Sequence, residues 1–291
     1  MFEVGSRMFY NLKINFHHQS SNIHPKIPYF CTMQWFEEWF DTPYYHILYN
    51  NRDYNEAENF LNLLTDFLNL EKNSKIIDLA CGKGRHSVYL NKLGYDVLGL
   101  DLSEQSISFD KQFETRTLKF QVHDMRNPIK SEPVDAVFNL FTSFGYFETE
   151  EEDKSVFRSV SDVLKNEGYF VLDFLNSEYV KKVIVPQSSV EKENIVFNVK
   201  KHIENGFIIK EIDFTDQGKK FHFFEKVKLT SAEKIQEYAK EFGFELVKRW
   251  GDYQLNDFDE SSSQRCINLF KRQKSEDGRG KTSSIQHPSS N

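Results

Sequence analysis

Lys75-Ile76-Ile77-Asp78-Leu79-Ala80-Cys81-Gly82-Lys83-Gly84-Arg85-His86 is the stretch that decides the fold of this chain. A short apolar run opens onto two glycines, and a helical pattern follows from about Arg85 to Lys92. That reads as a buried strand turning directly into a helix. Gly82 and Gly84 let the backbone approach a ligand closely, because a side chain there would collide with it. The helix N-terminus beyond them offers free N–H groups and a partial positive charge. A dinucleotide-binding loop would add a third glycine three residues after the second, but that position is Ser87. A nicotinamide-dependent oxidoreductase is therefore a weaker reading.

The same alternation continues on both sides. Phe60, Leu61, Leu63, Leu64, Phe67 and Leu68 recur at helical spacing before the glycines. After them come strand-like runs at 96–100, 119–122, 134–138 and 169–174, with a helix around 155–164. Strands separated by helices imply parallel βαβ units, so the expected fold is an α/β, Rossmann-like sheet. From about Ile195 to Lys226 the period changes to two, with Asn205-Gly206 as a hairpin signal and Asp216-Gln217-Gly218 as a looser one. An antiparallel β insertion over 188–226 is expected there. A helix capped by Thr230 or Ser231 and two strands, near 245–250 and 264–271, complete the sheet.

Residues 1–32 show neither period and read as a poorly ordered leader, with the functional domain over 33–272. The Ser-, Gly- and Lys-rich run at 273–291 reads as a disordered tail. The 291 residues are 39% hydrophobic and 28% charged, a globular profile. No run approaches the roughly 18–20 apolar residues of a membrane span. A net charge of −7 disfavours nucleic acid as the main partner. Cys31, Cys81 and Cys266 are too sparse for a disulfide framework or a metal site, and no targeting signal precedes them, so a cytoplasmic protein without bound metal is expected.

Beyond the glycines, Asp101 ends the second strand, where a carboxylate can accept both hydroxyl hydrogens of a ribose. His123-Asp124-Met125 follows the third strand, and Asn139-Leu140-Phe141-Thr142-Ser143-Phe144-Gly145-Tyr146 leaves the fourth. Ligands bind beyond the carboxyl ends of such strands, so this last loop should floor a reaction site. Two outlying aromatic segments stand out: Trp39-Phe40-Asp41 with Tyr44-Tyr45-His46, Tyr49 and Arg52, and Gly251-Asp252-Tyr253 with Ser262 and Arg265. His86 has a packing role as its simpler reading.

The D-x-A-C-G-x-G spacing at 78–84 resembles the first motif of class I S-adenosylmethionine (SAM) dependent methyltransferases. The S-x-G-Y segment at 143–146 resembles small-molecule N-methyltransferases, including enzymes that dimethylate amino groups of nucleotide-linked sugars. It lacks the D/N-P-P-Y/F loop of amino-group DNA methyltransferases. The resemblance covers about 33–272, a subgroup with a β-rich insertion after the fifth strand. It implies SAM as cofactor, held by Asp78, Ala80, Gly82, Gly84, Asp101, Leu102, Asp124, Met125 and Asn139, with Tyr44 and Arg52 reaching its methionine end. Tyr146, His46, Tyr45 and Asp252 are the candidate catalytic helpers.

The implied reaction is methyl transfer to nitrogen, or oxygen, of a small polar metabolite, by a monomer or homodimer. A tRNA-modifying methyltransferase and a noncatalytic SAM-binding protein are the alternatives. If the insertion is a lid, deleting 188–226 should abolish acceptor turnover while sparing cofactor binding.

Overall fold

The computed structural model describes residues 35–49 and 54–274. Three helices come first: α1 (Trp35–Phe40), α2 (Pro43–Leu48) and α3 (Tyr54–Leu68). Then β1 (Lys75–Leu79), α4 (Arg85–Lys92), β2 (Asp96–Asp101), α5 (Glu104–Asp110), β3 (Leu118–Val122) and β4 (Val134–Asn139) alternate as the apolar runs require. Ser103 caps α5 by accepting from the Ser106 N–H. Thr149 and Glu152 form a reciprocal capping box on α6 (Glu150–Val163), which leads into β5 (Leu164–Leu175) and α7 (Ser177–Val183).

The insertion follows as β6 (Gln187–Lys192), β7 (Ile195–Glu204), β8 (Phe207–Asp216) and β9 (Lys219–Lys228). Then α8 (Ala232–Glu241), β10 (Phe244–Trp250) and β11 (Arg265–Arg272) return to the main sheet. That sheet has seven strands in the order β10-β11-β5-β4-β1-β2-β3. β11 runs opposite to the other six strands, pairing antiparallel with both β10 and β5. Ile76 and Ile77 are both buried, as are Val137 and Phe138, because helices cover both faces of the parallel strands. Strand order reverses between β4 and β1, so a crevice opens at their carboxyl ends, where the glycines lie.

The insertion is a separate four-stranded antiparallel sheet. Glu193-Asn194, Asn205-Gly206 and Gln217-Gly218 make its turns with both residues at positive φ, the geometry that matches strand twist. β6 extends the insertion beyond the alternation read from sequence. Its Gln-Ser-Ser-Val-Glu-Lys carries no apolar face, and it is an edge strand bound to β7 alone.

The inner face of the insertion builds mostly a core of its own, with Val227 on β9 reaching the main one. Ile195, Phe197, Ile212 and Phe214 bury themselves against Trp39 and Leu48 from the first two helices. The first two helices and the insertion therefore form one cap around a shared core, with Phe36 of α1 anchoring it to the main core. Deleting 188–226 would strip the cover from Trp39 and Leu48, so that excision tests the whole cap and cannot separate an acceptor lid from the rest of the site. The leader at 1–32 and residues 275–291 lie outside the described residues. No helix among the described residues is long and apolar enough to cross a membrane.

Candidate active site

Between β1 and α4 the backbone turns left-handed at every second residue: Ala80 (φ 63°), Gly82 (φ 56°) and Gly84 (φ 64°). The two glycines serve different ends. A Cβ at Gly84 would lie 2.7 Å from the Phe120 ring, so this glycine lets β3 pack beneath the turn. A Cβ at Gly82 would meet no atom within 4 Å, so this glycine faces open space. Gly82 N–H donates to Asp101 Oδ2 at 2.8 Å, and Ser103 N–H donates to Asp101 Oδ1 at 2.9 Å. The second strand-end carboxylate is thereby fixed beside the glycine turn.

Asp78 lies beneath it, buried, and accepts a 2.6 Å bond from the Ser87 hydroxyl. Burial pushes its carboxyl up to about 6. Ser87 thus has a positive role in place of a third glycine. Its Oγ would also lie only 2.9 Å from a Cβ on Gly99. Asn139 is fully buried and donates to the Leu79 carbonyl at 2.9 Å, leaving its Oδ1 without a hydrogen bond among the described residues. Asp110 is also fully buried, neither oxygen has a partner among them, and burial with Asp101 and Asp78 nearby raises it to about 7.

Just past the ends of β2 and β3, Leu102 and Met125 pack against the main core as half-buried side chains. Asp124 is largely committed. Arg126 Nε reaches both of its oxygens at 3.1 Å, Arg126 Nη2 donates at 2.7 Å, and Arg126 Nη1 bridges on to Glu152 at 2.7 Å. Burial opposes the charge, yet these bonds hold the Asp124 carboxyl below its ordinary value.

A cavity of about 300 Å³ lies between the carboxyl ends of the strands and the cap. Phe40, Tyr45, Tyr49, Phe141, Tyr146 and Tyr253 supply its aromatic walls, with Glu56, Arg85, Glu225 and Arg265 among them. Tyr146 stands between Phe40 (5.4 Å) and Trp35 (5.6 Å), and its hydroxyl donates to the Thr142 carbonyl. Glu225, on β9, accepts from Trp39 Nε1 at 2.8 Å and from the Tyr49 hydroxyl at 2.6 Å, with Lys210 at 3.4 Å. Phe141 and Thr142 occupy successive left-handed positions, φ 58° and 60°. Such residues cost about 1–3 kcal/mol each and persist only where the surroundings dictate them.

Three expectations change. Tyr44 packs on Phe214 (4.6 Å) and Phe221 (4.8 Å) and donates to Asp216 at 2.9 Å, so its ring belongs to the insertion, while Tyr45 and Tyr49 line the cavity. Asp252 uses its carboxylate to close its own turn, accepting from the Gln254 N–H (2.9 Å) and from Asn256 (3.1 and 2.9 Å). Its neighbour Tyr253 faces the cavity instead. His46 lies against Tyr45 at 5.4 Å and is not part of the wall. Arg52 lies outside the described residues. His86 stacks on Phe141 at 4.7 Å, a packing role.

Sequence reasoning missed Asp173, Glu56 and Glu225. Asp173 carried a signal, since a carboxylate inside Phe170-Val171-Leu172-Asp173-Phe174 cannot be buried without partners. Its partners are Arg265 Nε and Nη2 at 2.8 and 2.6 Å, Phe141 N–H at 2.7 Å and the Tyr253 hydroxyl at 3.1 Å.

Comparison with known proteins fits this geometry. A family model described as a methyltransferase domain matches residues 70–243. The chain is 27% identical over 225 residues to the putative methyltransferase YqeM of Bacillus subtilis, covering 71% of this chain and 86% of that one. It is 26% identical over 221 residues to the glycine/sarcosine N-methyltransferase of Aphanothece halophytica, covering 72% and 78%. The fold superposes with a TM-score of 0.62 on SAM-bound CalS10, an amino pentose methyltransferase from Micromonospora echinaspora. That pair is 17% identical, over 79% of this chain and 97% of the other. The open face of Gly82 and the unused acceptor on Asn139 leave room and polarity for such a cofactor. The chain belongs to the methyltransferase-domain family and is a SAM-dependent enzyme of class I.

Proposed function

We propose that this enzyme methylates an amino nitrogen of a small polar metabolite held in the aromatic cavity. The carrying observation is the cavity itself. Its volume of about 300 Å³ is at the small end of ligand pockets, and Phe141 and Thr142 after β4 and Arg85 at the start of α4 line it. Asp101 and the Gly82 turn would hold the adenosine side, with Asp78 and Asn139 beneath. The cofactor's sulfonium supplies an already activated methyl group, so orientation of the acceptor is the protein's main task. The aromatic walls suit a cationic methyl donor and an amine.

Nitrogen is favoured over oxygen by the state of the walls. Tyr146 directs its proton to the Thr142 carbonyl, and Glu225 is engaged by Trp39, Tyr49 and Lys210. An amine needs no base strong enough to make an alkoxide, only a group to take the proton that an ammonium sheds. Glu56, exposed on the cavity wall, is the carboxylate for that step. The names of the glycine/sarcosine and amino pentose enzymes support the same class of acceptor.

The test is a calorimetric titration with S-adenosylhomocysteine, followed by methyl incorporation into amino acids, amino sugars, catechols and bulk tRNA. Transfer to an amine, weakened by Glu56→Gln, is expected. Transfer confined to hydroxyls or tRNA would overturn the proposal, and tight cofactor binding with no transfer anywhere would favour a noncatalytic role.

A further inference from the structure

Two consecutive non-glycine residues at positive φ form the loop after β4, and Thr142 is β-branched, a residue type that rarely adopts this conformation. Local sequence does not dictate that shape, so something else must impose it. The Phe141 N–H donates to Asp173 Oδ2 at 2.7 Å, and the Thr142 N–H donates to the Asp173 carbonyl at 3.2 Å. Arg265 Nη2 donates both to Asp173 Oδ1 at 2.6 Å and to Thr142 Oγ1 at 2.7 Å. The Tyr253 hydroxyl completes the set on Asp173 Oδ2. Asp173 is wholly buried. From Thr142 the chain of contacts reaches the cavity, because the Thr142 carbonyl is where the Tyr146 hydroxyl ends.

We infer that Asp173 and Arg265 are positioning residues, an ion pair that clamps the Phe141-Thr142 turn and through it sets the Tyr146 ring against the acceptor. The inference rests on the cavity being the acceptor site. A buried ion pair is a poor source of stability compared with apolar side chains, but it fixes direction, since both of its members have prescribed donors and acceptors. Arg265 also lines the cavity, so the rival role is direct contact with an anionic acceptor. The two roles separate by Asp173, which does not line it.

The experiment compares Arg265→Met, Arg265→Lys, Asp173→Asn and Tyr253→Phe in the full chain. Amide exchange of residues 140–146 is followed by mass spectrometry, alongside S-adenosylhomocysteine affinity and turnover of whichever amine the wild type methylates. Arg265→Met and Asp173→Asn should each speed exchange of that loop by ~10-fold or more while β1 and β2 are unchanged. Both should lower kcat by ~10-fold or more with KM within ~3-fold, and Arg265→Lys should recover part of it.

Tyr253→Phe leaves the ion pair intact and should give the same pattern at ~2- to 3-fold, which keeps the test open if the charge variants do not fold. Unchanged exchange in all four would overturn the clamp. A raised KM confined to the Arg265 variants, with normal exchange, would make Arg265 an acceptor contact instead. Phe40→Ala probes the cavity outside the clamp. If it left turnover untouched, the acceptor-site reading would fall while the exchange result stood.

Discussion

Beneath the glycine turn, buried acceptors among the described residues outnumber their partners, whereas the cap carboxylate that lines the cavity is fully engaged. Among the described residues Asp110 has two unused oxygens and Asn139 one, while Asp78 is held by Ser87. Across the cavity, Glu225 is held by Trp39, Tyr49 and Lys210, and Asp216 by Tyr44. Lys226 pairs with Glu148 and Lys228 with Asp153, tying β9 to the segment after β4. The difference teaches what each region is for. On the proposed function, the unused acceptors of the floor would face a donor-rich, positively charged cofactor. A roof whose cavity-facing Glu225 is held by Trp39, Tyr49 and Lys210 keeps the form of that wall fixed.

Substitutions should therefore register as stability in the roof and as affinity in the floor. The largest effect is expected from Phe214→Ala, which empties the centre of the cap core beside Phe197, Tyr44 and Phe221. Urea unfolding should show a loss of about 3–5 kcal/mol. A loss below about 1 kcal/mol would mean that the cap does not sustain itself. Next, Asp101→Asn should weaken S-adenosylhomocysteine binding by ~10- to 100-fold, since charged hydrogen bonds contribute about 1.5–3 kcal/mol. Equal affinity in a calorimeter would move ribose recognition elsewhere.

A smaller effect should appear as a pH slope. Asp110 titrates near 3.8 when unfolded and at about 7 when folded, so the folded chain binds the proton more tightly. That contribution is full at low pH and fades as pH rises from about 4 to about 7. Asp78 and Asp153, both raised to about 6, act in the same direction. Asp110→Asn should flatten the decline in melting temperature across that window, and an unaltered slope would show that the group is not strained by burial. The smallest effect belongs to Asp252→Ala. Loss of its turn bonds should cost about 1 kcal/mol or less and leave turnover intact. A collapse of kcat would restore Asp252 as a chemical participant.

The floor was legible because it is local. Strand, turn and helix occupy one continuous stretch, and Asp101 marks the end of the next strand with no help from distant residues. The roof was legible only as a period. Tyr44 and Tyr45 are adjacent on a six-residue helix, too short for its pattern to say which ring faces inward. The same holds for Asp252 and Tyr253, whose directions depend on a turn closed by Asn256. Asp173 and Arg265 are 92 residues apart, and only the antiparallel pairing of β5 with β11 brings them together. β6 escaped because an edge strand needs hydrogen bonds more than an apolar face.

The hydrogen bond from Trp39 to Glu225 spans 186 residues of chain. A ribosome adding about 5–20 residues per second needs about 10–40 s to supply the second partner after the first. Throughout that interval Trp39 and Leu48 have no insertion to bury them, while the parallel strands are being completed. Birth order thus runs opposite to spatial order: the helices synthesised early must wait for strands made late. In the cell, the yield of folded enzyme should depend on what shields those rings in the meantime.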